Sequence, residues 1–153
     1  GYVNLFAGYS NIGRDKSTAA TQEDHPNDLE AGTAGVTLTF GPVKAGFQRT
    51  AEFFGTATTA DTEYYANTSW GVSFNVNDDL SVSYGVHETR KAGYTRAIVQ
   101  TAENTRRVEV ESWQVAYTMG GASLRLADST VDNALFTAGK QESATTVSLG
   151  LAF

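Results

Sequence analysis

Apolar and polar residues alternate one by one along most of this chain. In YVNLFAGYS the apolar set is Val3, Leu5, Ala7 and Tyr9. In TAGVTLTF it is Ala34, Val36, Leu38 and Phe40, set against Thr33, Gly35, Thr37 and Thr39. VKAGF gives Val43, Ala45 and Phe47; SWGVSFNV gives Trp70, Val72, Phe74 and Val76; LSVSYGVH gives Leu80, Val82, Tyr84 and Val86. SWQVAYTM supplies Trp113, Val115, Tyr117 and Met119, SLRLAD only Leu124 and Leu126, and the closing TTVSLGLAF supplies Val147, Leu149, Leu151 and Phe153. A strand sends successive side chains to opposite faces, so a period of two predicts eight strands, each with one apolar and one polar face.

The connections alternate too. Long polar stretches fall near 11–29, 55–62, 90–106 and 131–141, and short ones at GP (Gly41, Pro42), NDD (77–79) and GGA (120–122). The short ones carry tight-turn residues. Strict alternation predicts that every long loop lies at one end of the strands and every short turn at the other. No linker or low-complexity boundary interrupts the pattern, so residues 1–153 read as a single segment.

Two architectures suit such strands. A soluble barrel or sandwich buries the apolar face. A transmembrane barrel turns it to lipid and lines its lumen with the polar one. The apolar face carries Phe40, Phe74, Tyr117 and Phe153 near the short-turn end and Tyr9 and Tyr64 towards the long loops. Two aromatic bands, with long loops on one side only, favour the membrane barrel over a lipocalin-like soluble one. Composition narrows the field further. The absence of Cys removes disulfides and thiolate metal sites. A net charge of -6 argues against nucleic acid as a partner. No apolar run approaches the ~18–20 residues of a membrane helix. The chain opens inside a patterned segment, GYVNLFAGYS, as a processed secreted chain or a fragment would.

VESWQVAYTMGGASLRLADSTVDNA followed by ATTVSLGLAF resembles the C-terminal part of alphaproteobacterial general diffusion porins. The final Phe153, with apolar residues alternating behind it, resembles the signal by which barrel-assembly machinery recognises outer-membrane proteins. The resemblance implies a homotrimer in a bacterial outer membrane, long loops extracellular and termini periplasmic, passing small hydrophilic solutes. Such porins have about 16 strands, so these eight would be the C-terminal half. No segment resembles the family's long in-folded constriction loop.

The polar face bears on whether eight strands could close alone. Of 32 positions assigned inward, four per strand, 24 are Gly, Ala, Ser or Thr. Only Asn4, Phe6, Lys44, Gln48, Asn75, His87, Gln114 and Arg125 are larger. An eight-stranded barrel has an interior that side chains must fill, and these would leave it underpacked. The expected fold is therefore an all-β transmembrane antiparallel barrel, half of a 16-stranded wall. The alternative is a complete eight-stranded barrel with a structural or loop-binding role. Lys44, Gln48, His87, Gln114 and Arg125 are the expected pore-lining residues, since charges in a pore wall bias permeation; an ion pair without effect on flux is the plainer account of Lys44 and Arg125.

Other chemistry is sparse. His25 and His87 lie on unrelated segments, and no nucleophile-elbow, zinc-protease or phosphate-loop spacing occurs, so no catalysis is expected. Arg90 and Arg107 have outward parity beside the long loop 90–106, where lipopolysaccharide phosphates would meet them; the competing account is a solvated loop balanced by Glu103, Glu109 and Glu111. Glu23, Asp24 and Asp28 bring oxygen ligands close enough to suit calcium, although the order of an EF-hand loop is absent. No cofactor other than that calcium is expected.

Overall fold

The computed structural model describes residues 1–13, 28–54, 62–93 and 107–151. They form eight strands: β1 (Tyr2–Ile12), β2 (Leu29–Phe40), β3 (Val43–Phe53), β4 (Thr62–Asn75), β5 (Leu80–Gly93), β6 (Arg107–Met119), β7 (Ala122–Asp132) and β8 (Glu142–Leu151). Each pairs antiparallel with its neighbours in the chain, in the order β1 to β8. β1 and β8 do not pair with each other, so the sheet is open rather than a closed barrel.

All eight expected strands are present, and several run further towards the long-loop end than the alternation suggested. β4 begins at Thr62, β5 continues to Gly93 and β6 begins at Arg107. Arg90 and Arg107, expected beside a loop, are opposite one another within the β5–β6 ladder. Alternation does persist through VHETRKAG and RVEVES, but its sense changes there. Above Ser112 the valines Val108 and Val110 take the parity of the polar face, and Glu109 and Glu111 that of the apolar face.

Register joins the eight strands into two coherent faces. Asn4, Thr37, Gly46, Gly71, Gly85, Ser112, Ser129 and Ala144 form one continuous level across the sheet. The neighbouring level of opposite parity is Val3, Leu38, Ala45, Val72, Tyr84, Trp113, Asp128 and Thr145. Because a one-residue slip would exchange the faces of a strand, the register sustains the alternation read from the sequence.

The short turns set that register. Gly41 and Gly120 take φ +55° and +58° at the first central position of two-residue hairpins, where a type II′ turn requires glycine. In the third, the side-chain Oδ1 of Asn77 accepts from the backbone N–H of Asp79 at 2.9 Å and of Leu80 at 2.8 Å. The fourth described connection, between β7 and β8, contains a single 3₁₀ turn, Ala134–Phe136. Among the described residues no second layer covers the apolar face, and the polar face meets only the β7–β8 connection at its long-loop end. Of the described hydrophobic side chains, only Ala134 is buried, at 4% exposure.

Asn77→Ala removes the acceptor for two backbone donors and is expected to lower stability by about 1 kcal/mol. Asn77→Asp, which keeps a carboxylate oxygen in place, should cost much less. Urea midpoints followed by strand circular dichroism in detergent distinguish the two.

Candidate functional site

The apolar face is bare. Leu5 is 80% exposed, Phe40 79% and Trp113 62%. Along β4 the exposed residues Trp70, Val72 and Phe74 alternate with half-buried Gly71 and Ser73. That inverts the order of a soluble sheet, in which the large apolar residues are the covered ones.

The bare residues also form an inclined band. The middle of the apolar run on β1 (residues 3–9) is at the level of Phe6, and register carries that level across the sheet to Glu142 on β8. The run on β8 (residues 147–151) is centred on Leu149. The displacement is 149 − 142, or seven residues over seven strand steps, one residue per step. With ~3.4 Å per residue and ~4.8 Å between strands, a band at constant depth then needs strands inclined by roughly 35°. Transmembrane barrels tilt their strands by about that much.

Charge begins where the band ends. Arg49, Thr68, Glu88, Glu109 and Asp132 share one level on the apolar-face side, towards the long loops. Below them, Trp70, Tyr84 and Trp113 touch in sequence, with ring centroids 5.6 Å and then 4.4 Å apart. Arg90 and Arg107 do have the outward parity expected of them. Glu88 bridges both: its carboxylate lies 2.8 Å from Nε of Arg90 and 2.7 Å from Nη1 of Arg107. Glu109 stands 3.7 Å from Arg107. Of the expected counter-charges Glu109 takes part, Glu88 was overlooked, and Glu103 lies outside the described residues. Two cations face two anions, so a phosphate binding here has to displace Glu88.

The opposite face is polar and hollow. A concavity of about 580 Å³ lies on it, lined among others by Asn4, Lys44, Ser73, Ser83 and Gln114. Its floor is the glycine run Gly46, Gly71 and Gly85, one on each of three adjacent strands. A Cβ on Gly71 would stand 3.2 Å from the carbonyl oxygen of Tyr84, tighter than most such contacts. The close approach of β4 and β5 therefore favours glycine at that position.

All five expected pore-lining residues share this face. Lys44 and Gln114 stand on one level, joined through Ser73 and Ser83, and Arg125 is on the next level down, opposite Ala116. Gln48 donates to Thr33 Oγ1 at 3.2 Å. Both ring nitrogens of His87 meet hydroxyls, Ser69 at 2.7 Å and Thr89 at 3.0 Å. The ion pairs among the described residues involve neither Lys44 nor Arg125.

A further group on this face escaped the reading of the sequence. Tyr65 and Lys91 lie directly opposite each other with polar-face parity. Phe136, from the β7–β8 connection, reaches both: its ring centroid is 6.3 Å from that of Tyr65 and 4.8 Å from Nζ of Lys91. Phe54 stacks edge-on against Tyr65 at 5.8 Å. The available signal was the apolar triplet Ala134, Leu135, Phe136 inside an otherwise polar connection. Of the proposed calcium ligands, Asp28 is half-buried at the foot of β2, while Glu23 and Asp24 lie outside the described residues, as does Phe153. Among the described residues no group of three or more acidic or histidine side chains is placed to hold a metal ion.

Comparison of the chain with protein-family models, with curated proteins and with solved structures finds no match in any of the three.

Proposed function

We propose that this chain is part of the wall of a transmembrane β-barrel in a bacterial outer membrane, and that the barrel is a porin. The observation that carries the reading is the bare apolar band, inclined by one residue per strand step. A lipid bilayer supplies the missing apolar layer, and the inclination is the one barrel strands adopt. In water the same surface would be a large exposed apolar patch.

The open sheet favours a wall segment over the alternative of a complete eight-stranded barrel. Both edges are built for partners. β1 contains no charge and no proline over eleven residues, and β8 contains only Glu142. Solvent-exposed edges are ordinarily blunted by such residues. In a larger barrel, further strands pair with both edges, and the small polar side chains line a lumen wide enough for water. About eight further strands complete the 16 of a general diffusion porin. A homotrimer, contact with outer-membrane lipid and lipopolysaccharide, and delivery by barrel-assembly machinery belong to the same reading.

The mechanism involves no bond-making. Solutes diffuse through water past a wall of Ser, Thr and Gly, and Lys44 and Arg125, which enter no ion pair among the described residues, bias which ions pass. The acidity of the whole chain, by itself, suggests a weak preference for cations.

Purified full-length protein in planar bilayers is expected to give stepwise conductance, and no steps from correctly folded protein would rule out a pore. Lys44→Glu should move the zero-current potential in a salt gradient towards cations while leaving the steps intact; an unchanged potential would place Lys44 away from the ion path. Leu5→Lys, on the lipid-facing side of β1, is expected to cost about 2–4 kcal/mol if it falls near mid-membrane. Loss of the folded band in unheated electrophoresis reads that cost, and wild-type behaviour would contradict a lipid-facing β1.

A further inference from the structure

The polar face ceases to be polar at one place. Above Ser112 on β6, Val110 and Val108 share the parity of His87 and Thr89, and Val131 lies opposite Val110 on β7. The β7–β8 connection is folded onto this region. Its 3₁₀ turn packs against β6, and Ala134 within it is the one buried hydrophobic residue described. Phe136 passes β6 altogether and rests on Lys91 of β5 and Tyr65 of β4. A connection that begins on β7 thus spans to the third strand away, across the hollow side of the sheet.

The span is held at its base. Asn133 Nδ2 donates to the carbonyl of Arg107 at 3.1 Å, and Asn133 Oδ1 accepts from the N–H of Gly139 at 3.0 Å. The N–H of Ala134 donates to the carbonyl of Lys140 at 2.9 Å, and Gln141 donates to Asp132 at 2.6 Å. Asn133, Leu135 and Phe136 all take left-handed backbone angles, with φ of 55°, 56° and 59°. Asparagine tolerates that region, but leucine and phenylalanine do so at a cost, which the surrounding contacts must offset.

We propose that the connection 133–141 is a strap that narrows the channel at its long-loop end, and that Lys91, fixed beneath Phe136, is the charge that selects ions there. The proposal rests on the porin reading. Glu52 stands on the level of Lys91, two strands away with Tyr65 between them. A passing ion therefore meets one positive and one negative group at the same depth. Taking away Lys91 leaves Glu52 as the charge on that level among the described residues.

Bilayer recordings on the full-length protein test the proposal. Phe136→Ala should raise single-channel conductance about 1.3–2-fold, because the passage widens where the ring is lost, and Phe136→Tyr should restore the wild-type value. Lys91→Gln should leave conductance near wild type and shift the zero-current potential towards cations. If conductance is unchanged in Phe136→Ala and the potential unmoved in Lys91→Gln, the strap does not set the aperture. A second measurement needs no current. The chain has no cysteine, so Lys91→Cys and Lys44→Cys each introduce one thiol on the same face. Maleimide should react severalfold more slowly with the first than with the second, and adding Phe136→Ala should remove the difference. Equal rates with Phe136 in place overturn the strap. Absence of conductance steps combined with unequal rates would overturn the porin reading and leave the strap standing.

Discussion

Among the described residues no protein layer covers the apolar face, and most other features follow from that constraint. A sheet whose large side chains point away from its hollow side is not held by a core among the described residues, where Ala134 is the one buried hydrophobic side chain. What holds it is the backbone ladder, seven antiparallel pairings long, and whatever medium meets the apolar band. In the proposed transmembrane setting, a bilayer cannot hydrogen-bond peptide groups, so the ladder would have to satisfy them all within its reach. That setting would account for the length and regularity of the eight strands. It also explains the position of charge. Glu88, Arg90, Arg107 and Glu109 neutralise one another just beyond the aromatic trio Trp70, Tyr84 and Trp113, where an uncompensated charge would be most costly.

The polar face answers to a different demand. Its small side chains leave space rather than filling it, and the facing pair Gly71 and Gly85 lets β4 and β5 approach closely. Two features rise from this low wall. One is the two cations Lys44 and Arg125, towards the short-turn end, which enter no ion pair among the described residues. The other is the aromatic cluster of Phe54, Tyr65 and Phe136 at the opposite end. This face thus combines weak, distributed polarity with one local aromatic cluster.

Much of this was legible in the sequence, because a period of two survives in every strand and needs no knowledge of neighbours. The placement of Lys44, Gln48, His87, Gln114 and Arg125 on one face followed from parity alone. The long-loop end was less legible. In RVEVES the alternation continues, but the valines change sides, since the outward positions there lie above the apolar band and the inward ones lie under the strap. Parity gives two faces without saying which is which, and one boundary crossed in mid-strand is enough to mislead. The Glu88 bridge was likewise hidden, because Arg90 and Arg107 meet it only through the β5–β6 register. The contact of Phe136 with Lys91 joins residues 45 positions apart, which no local pattern encodes. That β1 and β8 stay apart agrees with the small inward side chains, which would leave a closed eight-stranded interior underpacked.

Pairing each strand only with its neighbours in the chain has a consequence for how the sheet is made. No strand waits for a distant partner, so the loop closed at each step is at most one connection long and its entropic cost stays small. Growth can proceed hairpin by hairpin from either end, and each arriving strand satisfies the edge left by the one before it. At any moment the unpaired backbone of the growing sheet amounts to its two outermost strands, however many have been added. The order of the strands therefore limits exposure during assembly as well as describing the finished wall.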